Sequence, residues 1–493
     1  MLKKYLQKIK GIYQHVLFKN SYWGVAAHLS QVVLMSLFFV IIARKYSTGD
    51  FADYIIATVL YQLVASFSSL GLSQWFIREI CNSPVRNALI NQFIKAQFFL
   101  GLLFYGLNIL LAFLIYDDEA IRWLTVIIGI NIIFDNIINA IKSLNIADYE
   151  QKRTFVISVI ESFLKFAAVC LVFIFPLSIL LLSILIVVLR FITLNLYLRF
   201  GSAGAVTLKA LRACKISFVE IKHIVFINWP FIVIGSLSIL NWRISNIIIS
   251  KVLTVADLAN YEISYKIFSI AQLLPVIVGA TFFPSLVNLY KEGNMQMFKS
   301  MYRKVYLFYA LFGLISYTFI YSFADVLLPL AFGSNYLSTS IYTKQMFLTI
   351  IVFPTVFLQA NFLIAMKLEK LDMWLNAVAL LTNLAVCIIG LHYSRSLLVI
   401  NLSIFMSFIV FHLLQDFILI RRKVSSPSHV LAFYIITASI VFSYIFLSTV
   451  FNSWSFFVFY WVIILLIVFN GRGILNKLLL VQAKAIVERG RAA

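Results

Sequence analysis

Ten ionisable side chains fall inside long apolar stretches: Asp135, Lys142, Glu161, Lys165, Arg190, Arg243, Glu262, Lys266, Asp325 and Asp416. A charge at the centre of a membrane helix costs roughly 2.5–3.5 kcal/mol on insertion scales, so such groups seek a wet cavity or a partner. Glu161 with Lys165, and Glu262 with Lys266, have the i,i+4 spacing of a helical ion pair. Arg190 and Arg243 have no acid at that spacing. An arginine fork binds phosphate through two parallel hydrogen bonds and keeps its charge in a low dielectric. Both arginines are therefore candidate binders of an anionic group. Snorkelling to an interface is the alternative for each, more so for Arg190.

Other polar residues join this set. Asn241 precedes Arg243 in the stretch Asn241-Trp242-Arg243-Ile244-Ser245-Asn246. Lys142, Lys165 and Lys266 extend the candidate anion site. His28 and Gln31 share one face of the first span, as do Gln62 and Ser66 in the second, and Tyr265, Ser269 and Gln272 in the eighth. Helix-to-helix hydrogen bonds would account for each of these singly. Asp135 is the best carboxylate for exchanging a proton or sodium ion, with Lys142 two turns away. Glu161 and Glu262 are further coupling candidates, and Arg78 is either a gate residue or a basic anchor.

The elements that carry these residues follow from composition. The chain is 62% hydrophobic and 12% charged, with mean hydropathy +0.97. A soluble domain averages about 25% charged residues, so this chain requires lipid around it. No GxxxxGK[ST], GxGxxG or HExxH pattern occurs, and Cys81, Cys170, Cys214 and Cys387 lack metal spacing. No cofactor, zinc site or nucleotide-driven motor is expected, and the outer loops are too short for the catalytic loop of a membrane enzyme.

Stretches of about 20 apolar residues can cross the hydrocarbon core. The sequence predicts about fourteen transmembrane helices: 22–43, 52–73, 93–116, 121–144, 155–175, 177–198, 224–249, 258–286, 305–328, 343–366, 374–393, 397–420, 430–450 and 454–470. The first is too long for a signal peptide. Pro176 separates the fifth from the sixth, and Pro230, Pro275, Pro284, Pro329 and Pro354 predict bends in spans seven to ten. With both termini cytoplasmic, 29 of the 40 Lys and Arg residues fall inside and six outside. This topology accounts for most of the net charge of +21 without a nucleic-acid partner.

The segment Arg44-Lys45-Tyr46-Ser47-Thr48-Gly49-Asp50-Phe51-Ala52-Asp53-Tyr54 recurs 207 residues later as Lys251-Val252-Leu253-Thr254-Val255-Ala256-Asp257-Leu258-Ala259-Asn260-Tyr261. Each copy follows the first span of a six-span set, so the sets are parallel repeats related by an axis along the membrane normal. The expected organisation is an N-terminal segment 1–21, an N-lobe 22–199, a basic linker 200–223, a C-lobe 224–420, two extra helices within 421–470, and a tail 471–493. A central cavity is expected between the lobes.

Four stretches carry a family resemblance: Ser47 to Tyr54; Leu70-Gly71-Leu72-Ser73-Gln74-Trp75-Phe76-Ile77-Arg78-Glu79; Arg243 to Tyr261; and Leu330-Ala331-Phe332-Gly333-Ser334-Asn335-Tyr336. In order and spacing they resemble the polysaccharide-transport branch of the multidrug/oligosaccharidyl-lipid/polysaccharide (MOP) exporter superfamily, the Wzx-type O-antigen flippases. The resemblance implies an all-α, V-shaped, two-lobed membrane protein working by alternating access in a bacterial inner membrane. It implies an undecaprenyl-diphosphate-linked oligosaccharide as substrate, polysaccharide polymerase and chain-length proteins as partners, and no enzymatic activity. Ser245 stands where the family's R-I-D pattern has its acid, so that acid's role does not carry over. Fourteen spans also resemble the lipid II flippases, whose last two helices help form a lipid groove. A lipid II-type flippase and an ion-coupled drug antiporter are the alternatives.

Overall fold

The computed structural model describes residues 16–68, 86–148, 150–201, 240–451 and 454–467, with 72, 76, 77, 80 and 237 besides. Every regular element among the described residues is helical. The N-terminal set comprises α1 (Val16–Lys45), α2 (Thr48–Ser68), α3 (Arg86–Ile115), α4 (Glu119–Gly129), α5 (Asn131–Ala147), α6 (Gln151–Cys170) and α7 (Ile179–Phe200). Helix α8 (240–252) opens the second set. It is followed by α9 (Val255–Ala271), α10 (Leu273–Lys291), α11 (Met295–Phe332), α12 (Thr339–Met346), α13 (Phe353–Ala365), α14 (Glu369–Tyr393) and α15 (Leu397–Arg421). Two more, α16 (Pro427–Ser448) and α17 (Trp454–Ile467), complete the bundle.

Eleven of the described segments are long and apolar enough to cross a membrane, and α17 is a shorter apolar helix. Most of the seventh predicted span, the linker from 202 onward and the tail lie outside the described residues. The regular pattern of the fourth predicted span is interrupted at Ile130, where α4 passes into α5 with helical dihedrals kept. The eighth is two helices, since the regular pattern breaks at Gln272, three residues before Pro275. Tyr309 of α11 donates to the Pro275 carbonyl at 2.6 Å, which ties α11 to α10 just beyond the break.

The internal repeat has a physical cause in the structure. Ser47 caps α2 and Thr254 caps α9, and each hydroxyl accepts the backbone N–H of the aspartate three residues on, Asp50 or Asp257, at 3.1 Å. Each hydroxyl also donates to that aspartate's carboxylate, at 2.7 Å. In the second copy the carboxylate reaches back to the Thr254 N–H, completing a capping box.

The two sets pack against each other through α2 with α9 and α1 with α11. At the end carrying both repeat copies the contact becomes a seal. Tyr116 and Ser250 share a hydrogen bond of 2.9 Å, Lys251 donates to the Ile115 carbonyl, and Arg44 donates to the Leu330 carbonyl at 2.6 Å. Phe51 meets Tyr336 edge to face. Helices α16 and α17 lie on the outer side of α11: Phe323 stacks on Trp454, and the Trp461 indole donates to Thr318 at 2.8 Å.

Candidate functional site

Below the seal lies a cavity of about 500 Å³ shared by both lobes. Helix α2 contributes Tyr61, Gln62, Ala65 and Ser66; α8 contributes Trp242 and Arg243, and α9 contributes Tyr265. Gln62, Ser66, Arg243 and Tyr265 were legible as candidates; Tyr61 and Trp242 were not, because an aromatic in an apolar span reads first as lipid-facing bulk.

Arg190 is not the unpartnered cation its own helix suggests. Its Nε donates to Asp135 of α5 at 2.6 Å, and its Nη1 to Glu161 of α6 at 2.5 Å. The Glu161–Lys165 pair forms as the spacing predicts, at 2.6 Å, so Glu161 serves two cations. Asp135 also accepts the Tyr61 hydroxyl, which ties this cluster to the cavity wall. As a free coupling carboxylate Asp135 is therefore displaced: a guanidinium and a phenol already occupy its oxygens. Lys142 completes the cluster without an ion pair; its ammonium sits 5.7 Å from the Tyr197 ring and within electrostatic reach of Arg190, Glu161 and Asp135. Three cations here face two carboxylates.

The C-lobe cluster corrects a second expectation. Glu262 pairs across helices with Arg243, at 3.1 and 3.3 Å, rather than with Lys266 on its own helix. Asn246 donates to Glu262 at 2.7 Å. A guanidinium that reaches both oxygens holds the carboxylate better than a flexible ammonium one turn away. The Arg243 guanidinium also lies 4.7 Å from the Tyr265 ring. Lys266 is left without a carboxylate among the described residues, its ammonium 5.8 Å from the ring of Phe39 on the opposite lobe. Two cations here face one carboxylate.

The remaining candidates separate. Asn241 is buried and accepts from Asn383 at 2.9 Å; it borders a second cavity of about 320 Å³ within the C-lobe. Gln31 is half-buried on α1, where His28 also lies, though the His28 side chain is outside the described residues. Arg78 is outside them too. The structure also brings together a polar cluster that the sequence did not reveal. Gln359 donates to Asp416 at 2.6 Å, His412 lies 3.2 Å from the same carboxylate, and Gln415 donates to Asp372 at 3.0 Å. Among the described residues there is no group of three His, Cys, Asp or Glu side chains able to hold a metal.

Two parallel helical lobes enclosing a cavity that one end seals define the fold of MOP-superfamily transporters. The lipid II flippase MurJ in an inward closed conformation superposes with TM-score 0.71 at 16% identity, over 93% of this chain and 99% of that one. An inward-facing multidrug resistance MATE family transporter gives 0.66 at 13% identity, over 80% and 96%. An outward-facing one gives 0.58 at 12% identity, over 83% and 95%. By sequence, residues 41–341 match the family model described as polysaccharide biosynthesis protein, and the chain belongs to that family. No curated protein matches it.

Proposed function

We propose that the protein flips an undecaprenyl-diphosphate-linked oligosaccharide from the cytoplasmic to the periplasmic leaflet of a bacterial inner membrane, by alternating access. The observation that carries the reading is the cation excess in the two clusters that reach the shared cavity through Tyr61 and Arg243. Each of the two clusters holds one more cation than its carboxylates neutralise, Lys142 in one and Lys266 in the other. A half-buried uncompensated cation within an apolar span is costly to keep, and an anionic headgroup in the cavity would offset both. A diphosphate fits two such charges. The polysaccharide family supports a sugar-bearing lipid over a drug, and the engagement of Asp135 by Arg190 and Tyr61 removes the lone carboxylate an antiporter would need in that lobe.

Orientation follows the basic residues: both termini are cytoplasmic and the sealed end is periplasmic. On that orientation the cavity lies on the cytoplasmic side of the seal. The domain division into N-lobe 22–199, C-lobe 224–420 and two added helices accompanies this reading.

The test uses proteoliposomes carrying undecaprenyl-diphosphate oligosaccharide, with the sugar in the outer leaflet read by lectin. Accelerated sugar translocation, without acceleration of a zwitterionic phospholipid, is the expected result. Drug efflux without lipid translocation would overturn the reading.

A further inference from the structure

A second groove carries more basic residues than the central cavity. It lies within the N-lobe, between the start of α6 and the end of α7, and has a volume of about 580 Å³. Lys152, Arg153 and Arg199 surround its mouth, and its walls are apolar, with Val156, Ile160 and Phe200 each more than 40% exposed.

The charge arrangement here works against the helix that carries it. The amino end of a helix has a positive partial charge and favours acids in its first turn. Helix α6 has none there; it places Lys152 and Arg153 in that turn, and Glu150 makes no side-chain cap. Glu150 neutralises Arg153 alone, at 2.5 Å. Arg153 also reaches the carbonyls of Phe200 and Gly201, both at 3.4 Å, which joins the two helix ends across the groove. Lys152 lies 5.8 Å from the Trp23 ring and has no carboxylate among the described residues, and neither has Arg199. Two cations and a helix terminus thus converge on a slot whose walls suit an acyl chain. Other basic groups at this end are differently placed: Arg86 is paired with Asp148, and Arg421 lies over the Phe417 ring.

We propose that this groove binds an anionic phospholipid of the cytoplasmic leaflet, its phosphate between Lys152 and Arg199 and an acyl chain along Val156, Ile160 and Phe200. A phosphate supplies the negative charge that α6 lacks at its amino end, and the leaflet supplies it at the depth where juxtamembrane cations meet anionic headgroups. The site is separate from the transported substrate, and it takes from the proposed function only the orientation.

Native mass spectrometry of the full-length protein in detergent, titrated with phosphatidylglycerol or phosphatidylcholine, tests it. Phosphatidylglycerol should bind and phosphatidylcholine should not. Lys152→Ala with Arg199→Ala should weaken phosphatidylglycerol binding by roughly tenfold or more, each surface cation contributing on the order of fivefold. Val156→Trp, which fills the slot and leaves every charge in place, should weaken it as well. Arg421→Ala with Lys423→Ala is the control and should leave binding intact. Equal loss in that control, unchanged binding in the groove variants, or equal binding of phosphatidylcholine would each overturn the proposal. So would displacement of phosphatidylglycerol by a stoichiometric amount of undecaprenyl diphosphate, which would give the groove to the transported lipid.

Discussion

Arg44 and Lys251, the first residues of the two repeat copies, each donate a hydrogen bond to the last turn of a helix in the opposite lobe. Arg44 reaches the Leu330 carbonyl of α11 and Lys251 the Ile115 carbonyl of α3. These helices are the counterparts of one another in the two sets, so the seal is a pseudo-symmetric exchange of cations. Carbonyls in a last helical turn lack intrahelical donors and carry partial negative charge, which a cation satisfies. The sealed end should therefore be trapped by a covalent link. In a background lacking Cys81, Cys170, Cys214 and Cys387, Tyr116→Cys with Ser250→Cys should cross-link with a bis-methanethiosulfonate reagent whose spacer replaces the length of the tyrosine ring. Lipid translocation should then stop, and return with reductant. Full translocation by the cross-linked protein would mean that the seal does not open during transport.

The Arg243–Glu262 pair should behave as a buried ion pair does. Removing one partner leaves a charge in low dielectric, at a cost of roughly 3–5 kcal/mol. Arg243→Ala should lower the thermal unfolding midpoint of the purified protein sharply. Adding Glu262→Leu should restore much of it, because the stranded carboxylate is gone. Additive losses in that double-mutant cycle would show that the two side chains do not interact.

Close packing in the C-lobe makes a further prediction. A Cβ added to Gly313 of α11 would lie 2.5 Å from the Ile350 carbonyl oxygen and 3.0 Å from that of Ile351, both backbone atoms of a 3-10 turn. Small residues let membrane helices approach in this way. Gly313→Ala should destabilise by about 1–3 kcal/mol, read as a lower unfolding midpoint. Gly106→Ala, with nothing within 4 Å of its Cβ, should have little effect.

Much of this arrangement can be read from the chain, and what escapes has a common cause. Helix existence and the repeat are legible because apolar length and capping chemistry are local properties. Glu161 with Lys165 is legible for the same reason. The partners of Arg190 come from α5 and α6, and those of Arg243 from α9, so no i,i+4 rule can find them. Lys266 shows the converse: its spacing to Glu262 is right, but a guanidinium from α8 takes the carboxylate. The cations left free are thus lysines whose spacing suggested neutralisation, while the arginines that looked free are paired. Tyr61 escapes because its role depends on Asp135, far away in sequence and adjacent only after α2 packs on α5.

In the proposed function the excess charge of Lys142 and Lys266 favours an anionic headgroup in the cavity, and changing that charge tests it most directly. Lys142→Gln, Lys266→Gln, the double variant and the two Lys→Arg controls should be compared in the proteoliposome translocation assay at matched protein levels. Neither lysine has an ion-pair partner among the described residues, so folding should be retained. Each Gln variant should lose about tenfold in translocation rate, the loss expected from roughly 1.4 kcal/mol of lost transition-state stabilisation. The double variant should lose more, and the Arg controls should keep a substantial part. Wild-type rates in the folded double variant would contradict the account.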